Sequence, residues 1–167
     1  MKCLIDNREI GLISHFQEQL VENKDCFQVK QLSIGDIQIY KDDILHFIIE
    51  RKSISDLAAS IKDGRYVEQK SRLELFHNRS VQIIYIIEGE LNNDFPNFKI
   101  NGIPYGTLNT CILKLLLKNK YAVIQSADIQ NTYSVLMKIV SQFDNLINSS
   151  SHNPALSEVI QNSKKKK

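Results

Sequence analysis

Residues 48–73 read IIERKSISDLAASIKDGRYVEQKSRL, and the rest of the chain is organised around them. It opens as an apolar run with strand character, and the charged triplet Glu50, Arg51 and Lys52 follows directly. Because side chains alternate between the two faces of a strand, Glu50 and Lys52 point to one face and Arg51 to the other. A carboxylate and an ammonium at one strand end are either a surface ion pair or a metal ligand beside a lysine that orients water.

Two helices follow this strand. Ser53 and Asp56 form an S-x-x-D pattern of the capping-box type before an apolar run, which predicts a helix over residues 54–62. Gly64 can adopt positive φ and therefore predicts the end of that helix. A second helix is expected over residues 65–77.

The rest of the chain alternates between strand-like and helix-like segments. The remaining predicted strands are Lys2–Ile5, Cys26–Leu32, Ile37–Tyr40, Ile44–Glu50, Val81–Ile87 and Tyr121–Gln125, and the remaining predicted helices are Ile10–Val21, Tyr105–Leu117 and Asp128–Ile147. The strands on either side of residues 41–43 are expected to form a hairpin, and residues 91–104 a long loop. This pattern predicts an α/β fold with a mixed central β-sheet flanked by helices.

Length and composition indicate one domain. We assign residues 1–148 to this domain and residues 149–167, rich in Ser, Asn and Lys, to a flexible polar and basic tail. No apolar run approaches the roughly 18 residues of a transmembrane helix, so no membrane partner is expected. Three widely separated cysteines without metal spacing indicate reduced thiols in an intracellular protein, with nucleus and cytoplasm both open.

The formal net charge of +2 depends on the C-terminal lysines. Without Lys164–Lys167 the chain has 17 basic and 19 acidic residues, a net charge of −2. This balance excludes a uniformly basic surface, so any contact with nucleic acid requires a local basic patch.

Four short motifs occur in a fixed order along the chain. They are D-x-R-E at Asp6-Asn7-Arg8-Glu9, the pair Gly35-Asp36, E-R-K-x-x-x-D from Glu50 to Asp56, and D-G-R-Y-x-x-Q-K-x-R-L from Asp63 to Leu73. In this order the motifs resemble the nuclease domain of the XPF-type structure-selective endonucleases, a branch of the PD-(D/E)XK superfamily. The resemblance covers about residues 1–148 and implies a restriction-endonuclease-like fold.

The resemblance also implies metal-dependent hydrolysis of phosphodiesters, for which a divalent cation activates water and neutralises the phosphate. Asp36 and Glu50 are the expected ligands of Mg²⁺ or Mn²⁺, together with the main-chain carbonyl of Arg51. A turn residue after Gly35 is the alternative for Asp36. Two carboxylates about 4 Å apart repel each other by roughly 4 kcal/mol at an effective dielectric constant of about 20, so the pair is expected to need the cation.

Other residues of the motifs receive catalytic roles in this interpretation. Lys52 is expected to orient the attacking water and hold a phosphate oxygen, with a solvated ammonium as the alternative. Asp56 falls on the third acidic position of the family, although helix capping alone explains it. Asp6 and Glu9 are either an outer acidic pair of the site or a turn residue and a helix start. Arg51 is expected to brace the site from the opposite face through an ion pair.

The second predicted helix carries three polar residues on one face. Arg65, Gln69 and Arg72 are spaced i, i+4 and i+7. They are expected to bind the DNA backbone or to hold the acids of the site, and an exposed charged helix face is the alternative. The four histidines show no ligand spacing, so no chemistry is assigned to them.

The resemblance implies branched or flapped DNA as the substrate and partner. Full-length members of the family usually carry a tandem helix-hairpin-helix domain after the nuclease domain, and the residues after Leu146 are too few for one. One alternative is a phosphodiesterase acting on small, cyclic nucleotides with the same metal site. A catalytically inactive partner subunit that only binds DNA is the other, and the intact motif argues against it.

A homodimer, or a heterodimer with a related subunit, is also expected, because the family associates through its nuclease domain. The predicted helix over residues 128–147 carries an apolar stripe, and Val135, Ile139 and Leu146 lie about 80° to one side of it. This wide apolar surface is either core, covered by the predicted helix at 105–117, or a subunit interface.

Overall fold

A computed structural model gives the fold of residues 1–18, 26–77, 81–91 and 95–148. The strands are β1 (Lys2–Asp6), β2 (Phe27–Lys30), β3 (Ile37–Lys41), β4 (Ile44–Ser53), β5 (Gln82–Glu88), β6 (Lys99–Ile100), β7 (Ile103–Pro104) and β8 (Ala122–Ser126). The helices are α1 (Ile10–Glu18), α2 (Ile54–Lys62), α3 (Arg65–His77), α4 (Tyr105–Leu117), α5 (Ile129–Ser141) and α6 (Phe143–Asn148). Every predicted strand and helix thus has a counterpart. Within these residues no helix has both the length and the apolar character needed to cross a membrane.

Six of the strands form one mixed sheet in the order β2-β1-β3-β4-β5-β8. Strand β3 is antiparallel to both β1 and β4, whereas the pairs β1–β2, β4–β5 and β5–β8 are parallel. The continuous apolar run of β5 is buried on both faces, as expected for a strand with parallel neighbours on each side. The predicted α/β fold with a mixed, helix-flanked sheet is confirmed.

Helices cover the two faces of the sheet and enclose two apolar cores. On one face, side chains of α1 and α5 pack against those of β1, β3, β4 and β5. On the other face, α2, α3 and α4 cover a second cluster built on Ile48, Ile83 and Ile87. The end of β4 therefore lies between two helical layers and can present one side chain to each.

Strands β3 and β4 form the hairpin expected from the sequence. Asp42 and Asp43 make its turn with φ values of 51° and 60°, which suit a two-residue connection between antiparallel strands. At the open end Ile37 pairs with Ile49, and the main-chain N–H of Asp36 donates to the Ile49 carbonyl at 2.9 Å. The hairpin thus brings Asp36 beside the charged end of β4.

The single helix predicted over residues 128–147 is wrong, because the chain breaks at Gln142 between α5 and α6. The break turns Phe143 into the core, where its side chain is 1% exposed and its ring lies 5.6 Å from that of Phe47. Neither a proline nor a glycine stands at this position, and the apolar periodicity runs through it without interruption. No pattern in the sequence therefore indicated the break.

The loop predicted over residues 91–104 contains a short hairpin of β6 and β7. Its strands have only two residues each, too few to leave an alternating pattern. The side-chain amide of Asn101 at its tip donates to the Ser55 carbonyl at 3.0 Å and ties the hairpin to α2. Three predicted parts lie outside the described residues: 92–94 of this loop, 19–21 of the first helix, and the tail at 149–167.

Most of the apolar surface of α5 packs against the core of the same chain. Ile139 is buried, and Val135 and Met137 are partly buried against the same core. The helix that covers them is α1, whereas α4 lies on the other face of the sheet, so the predicted cover by residues 105–117 is wrong. Core packing therefore explains most of the wide apolar surface of this helix. Exposed leucines occur instead in α6, at Leu146, and along α4, at Leu113, Leu116 and Leu117.

Gly35 is confined by both its conformation and its neighbours. Its φ is 68°, in the left-handed region that residues with a Cβ atom rarely adopt. An added Cβ would lie 2.4 Å from Ile48 Cγ2 and 3.3 Å from the Ile49 carbonyl oxygen. Only glycine therefore lets the chain pass this close to β4 before Asp36.

We expect Gly35→Ala to lower the free energy of unfolding by about 3 kcal/mol or more, from positive-φ strain together with overpacking against Ile48. Gly64→Ala is the matched control, because Gly64 has a φ of 77° with no atom within 4 Å of an added Cβ. The control should lose only about 1 to 2 kcal/mol. Urea unfolding measures both, and equal losses would show that close packing at Gly35 is not the cause.

Candidate active site

A cleft of about 270 Å³ opens at the end of the β3–β4 hairpin that lies away from its turn. Its walls come from the segment before β3, from the end of β4 and from α3. The charged and amide side chains that line it are Arg8, Asp36, Glu50, Gln69 and Arg72. All of these except Arg8 are site residues predicted from the sequence.

Asp36 is held by the main chain of β4. Its Oδ2 accepts a hydrogen bond from the main-chain N–H of Arg51 at 2.8 Å. Glu50, the preceding residue on that strand, is only 6% exposed. The two predicted metal-binding carboxylates therefore lie on neighbouring segments of one hairpin and border the same cleft.

Both carboxylates are difficult to ionise in this setting. Burial, followed by repulsion from Glu50 and Glu9, raises the pKa of Asp36 to about 8. Burial also raises the pKa of Glu50, although the ammonium of Lys52 acts against this shift. Two buried acids with too little compensating charge are the electrostatic environment expected where a cation binds.

Lys52 lies on the same face as Glu50, as the strand alternation predicted. It is 8% exposed, so the alternative of a solvated ammonium is wrong. Its Nζ donates to Oε1 of Gln69 at 2.7 Å and lies 3.2 Å from Oε1 of Glu50. The contact with Gln69 joins β4 to α3 across the cleft wall and was not predicted.

Arg51 braces the site from the opposite face, and its partners are two carboxylates. Its Nε and Nη2 donate to the two oxygens of Glu88, each at 2.6 Å, and its Nη1 donates to Glu9 Oε2 at 2.9 Å. The hydroxyl of Thr132 donates to Glu88 Oε1 at 2.6 Å. These bonds tie the end of β4 to β5, to the residue before α1 and to α5.

Asp6 is fully buried and does not line the cleft. Its carboxylate accepts hydrogen bonds from Leu32 N–H at 2.7 Å and from the main chain and Nε of Arg8 at 2.9 and 2.5 Å. Burial works to raise the pKa of Asp6, but these hydrogen bonds outweigh it and hold the pKa below its usual value. This geometry favours the turn role for Asp6. Glu9 lies immediately before α1, where its carbonyl accepts the N–H of Ile13, and its carboxylate pairs with Arg51.

Two further predicted site residues do not line the cleft. Asp56 is exposed, and Ser53 caps α2 as predicted: the N–H of Asp56 donates to Ser53 Oγ at 3.0 Å. Ser53 Oγ in turn donates to Asp56 Oδ2 at 2.7 Å. Arg65 pairs with exposed Asp63 at 3.0 Å. Arg72, by contrast, lines the cleft and donates through its guanidinium to the Ser33 carbonyl.

The donor atoms of the cleft suit a hard divalent cation. In the part of the chain that the structure describes, no group of three or more His, Cys, Asp or Glu side chains is arranged to hold a metal. A cation here would rest on the carboxylates of Asp36 and Glu50, a main-chain oxygen and water. Oxygen ligands with one or two carboxylates and several waters are the coordination that Mg²⁺ prefers.

Sequence reasoning missed Glu88 and the position of Arg8. Glu88 ends a buried apolar strand, and an acid at such an end was the available signal. Its pairing with Arg51 depends on the register that sets Ser53 opposite Glu88, which no local pattern reveals. Arg8 lies within the D-x-R-E motif, but its place in the cleft depends on its bond to buried Asp6.

Comparison with known proteins gives a consistent picture. The family model of the ERCC4 domain matches residues 5–139. The chain is 32% identical over 162 residues to the probable crossover junction endonuclease mus81 of Dictyostelium discoideum, covering 86% of this chain and 17% of that protein. It is also 32% identical over 130 residues to the ERCC4 domain-containing protein EP364R of African swine fever virus (isolate Warthog/Namibia/Wart80/1980), covering 76% of this chain and 35% of that protein. The chain thus spans at most about a third of the length of these relatives.

Solved structures agree with the family match. XPF from Aeropyrum pernix superposes with a TM-score of 0.64 at 25% identity, covering 86% of this chain and 61% of that one. The structure of the same protein in complex with DNA has a TM-score of 0.62 at 24% identity and covers 86% of this chain and 64% of that one. Together with the family model, which spans both the cleft and the sheet, these matches confirm the resemblance carried by the four motifs: the chain belongs to the ERCC4 domain family and has the fold of the XPF nuclease domain.

Proposed function

We propose that this chain is the catalytic domain of a divalent-cation-dependent endonuclease that hydrolyses phosphodiester bonds in branched or flapped DNA. The observation that carries the proposal is that Asp36 and Glu50 line one cleft while the ammonium of Lys52 lies 3.2 Å from Oε1 of Glu50. The names of its relatives support it, since one is a probable crossover junction endonuclease and an XPF structure was solved in complex with DNA.

The carboxylates of Asp36 and Glu50, with the carbonyl of Arg51, would hold Mg²⁺ or Mn²⁺. When bound, the cation supplies an activated water and neutralises charge on the scissile phosphate. Lys52 contributes a buried ammonium on the same face, where it orients the attacking water and binds a phosphate oxygen. Asp56 stays a predicted third acidic residue of this site.

Cationic groups at the cleft favour an anionic substrate. Arg8 and Arg72 both line the cleft, and guanidinium groups bind phosphate through paired N–H donors. The arginine of β4 has a different task, because its guanidinium is already engaged by two carboxylates. Arg51 therefore holds the strand end in place rather than contacting DNA.

A small nucleotide is the second candidate substrate. A cleft of about 270 Å³ is near the lower size limit of small-ligand sites, and the chain without its lysine tail carries a net charge of −2. A phosphodiesterase acting on cyclic nucleotides would use the same residues. An inactive partner subunit is disfavoured, because the carboxylates and the lysine are all present.

A dimer, either of two copies or with a related subunit, stays part of the proposal. Its support shifts from α5, whose apolar sides pack within the monomer, to α4. Leu113, Leu116 and Leu117 of α4 are each at least 45% exposed. Exposed leucines grouped on one helix favour association with another apolar surface.

Cleavage of a labelled flap in the presence of Mg²⁺ or Mn²⁺, beside linear duplex and cyclic dinucleotides, tests the activity. Glu50→Gln, Asp36→Asn and Lys52→Met should each lower the rate by about 100-fold or more, because each removes a group that acts on the cation or the phosphate. Chelator should abolish the reaction. Ser71→Ala, an exposed change on α3 at a residue that does not line the cleft, is the control. Wild-type rates in Glu50→Gln would refute the site, and cleavage of cyclic dinucleotides alone would support the second candidate.

The stability of the cation-free protein should depend on Asp36 in a pH-dependent way. Its pKa is about 8 in the folded chain, against about 3.9 when unfolded, so the folded state binds the extra proton and stability falls as pH rises between these values. Asp36→Asn keeps the acceptor for Arg51 N–H and removes the charge. At pH 8 in chelator it should therefore be at least about 1.4 kcal/mol more stable than the wild type, with little gain at pH 4.

Thermal unfolding measures this difference, with Asp43→Asn at the exposed hairpin turn as a control that should show no such trend. Adding Mg²⁺ should stabilise the wild type at pH 8 and leave Asp36→Asn unchanged. A gain for Asp36→Asn that is equal at pH 4 and pH 8 would contradict the electrostatic origin.

DNA affinity should depend more on Arg72 than on Arg65, because Arg72 borders the cleft whereas Arg65 pairs with Asp63. Arg72→Gln should weaken binding of flap DNA about uniformly across sequences and reduce the slope of log K against log salt by about 1. Fluorescence anisotropy in chelator measures it, with Arg65→Gln as the matched variant. A larger loss for Arg65→Gln would place the DNA path away from the cleft.

A further inference from the structure

Lys52 is held between two acceptors of unequal charge. Its ammonium lies 2.7 Å from the neutral amide oxygen of Gln69 but 3.2 Å from the carboxylate of Glu50. Bonds between an ammonium and a carboxylate are usually about 2.7 to 2.9 Å long and stronger than bonds to neutral oxygens. The ammonium therefore lies closer to the weaker acceptor, so a further constraint must keep it away from Glu50.

The side chain of Gln69 has the position and orientation to do this. An ammonium has donors only, so the amide turns its oxygen toward Lys52 and its NH₂ group away. The helix that carries it is anchored one turn further on by Leu73, which is 1% exposed. The amide is thus carried by a part of α3 that is anchored in the core, and its bond to Lys52 fixes the direction of its oxygen.

We infer that Gln69 is a positioning residue that keeps the ammonium of Lys52 off Glu50. This inference rests on the proposed function. In the described part of the chain, Glu50 is the other acceptor of Lys52, so without the amide the Coulomb attraction would draw the ammonium onto that carboxylate. Glu50 would then be less available to a cation, and Lys52 less available to a phosphate oxygen.

This role for Gln69 differs from the direct contact with DNA that was expected from its place on the polar face of α3. If Gln69 contacts DNA directly, its loss and the loss of Lys52 remove separate interactions and their effects on rate multiply. If Gln69 acts through Lys52, its loss has no further effect once Lys52 is gone. A double-mutant cycle separates these cases.

The cycle compares wild type, Gln69→Met, Lys52→Met and the double variant in single-turnover cleavage of flap DNA. Methionine matches the length of glutamine, is one heavy atom shorter than lysine, and lacks the polar head of both. Gln69→Met alone should slow the chemical step by about 10- to 100-fold, with DNA affinity within about threefold of the wild type. The double variant should match Lys52→Met. Ser71→Ala, at an exposed position two residues further along α3, should leave the rate unchanged, and multiplied losses in the double variant would overturn the inference.

A second measurement needs neither cation nor substrate. Limited acetylation followed by mass spectrometry should label Lys52 slowly in the wild type, because its ammonium is buried and bonded, with exposed Lys62 as the internal reference. In Gln69→Met the Lys52 label should fall further relative to Lys62, because the ammonium would then be engaged by the Glu50 carboxylate and shielded from the reagent, and in Ser71→Ala it should not change. Unchanged labelling in Gln69→Met would refute the inference. Faster labelling in Gln69→Met would also contradict the inference.

The two measurements also distinguish failure of the inference from failure of the proposed function. If the wild type does not cleave nucleic acid or nucleotides, or if Lys52→Met cleaves as fast as the wild type, the proposed function fails. If cleavage requires Lys52 but not Gln69, the positioning role alone is wrong.

Discussion

The site depends on how Arg51 is fixed, because this residue serves both faces of the sheet at once. Its main-chain N–H holds Asp36 on the cleft side, while its guanidinium binds Glu9 and Glu88 between β4 and the α1–α5 layer. A bidentate pair with one carboxylate and a single bond with another leave the guanidinium little freedom. The strand end is therefore rigid at the point where a displacement of about 1 Å would separate the acids from a substrate.

This rigidity maintains an unfavourable arrangement of charge. Asp36 and Glu50 are both buried, and the nearby ammonium is shared with an amide. Burial raises the pKa of both carboxyl groups, and repulsion from Glu50 adds to the shift at Asp36. The main-chain bond from Asp36 N–H to the Ile49 carbonyl keeps the segment with Gly35 close against β4. Local strain that the surrounding fold holds in place is common at functional sites. The stability given up here is what a divalent cation would restore.

The sequence predicted what depends on neighbouring residues. Strand alternation correctly separated Arg51 from Glu50 and Lys52, and the S-x-x-D pattern correctly located the start of α2. The hairpin of β3 and β4 was also predicted from its turn residues. It implied that Asp36 and Glu50 lie close together. All of these features rest on contacts within a few residues or on the period of one element.

What the sequence did not predict depends on packing between elements. The bond from Lys52 to Gln69 requires α3 to cross the end of β4, and the brace at Glu88 requires one particular register of two parallel strands. The break at Gln142 follows from the burial of Phe143 rather than from a helix-breaking residue. The side of the sheet on which α4 lies is likewise set by topology, so the alternative that placed it over α5 was wrong.

The hairpin turn at Asp42 and Asp43 gives the protein a convenient optical reporter site. The chain contains no tryptophan. Ile44, the first residue after the turn, is 62% exposed and lies at the start of β4, far from the cleft. Aromatic residues are well tolerated on strands, so a single indole introduced there would fluoresce without background from other tryptophans. Because β3 and β4 stand at the centre of the sheet, the anisotropy of its fluorescence would fall when the whole domain unfolds, and the acids and the lysine would stay untouched.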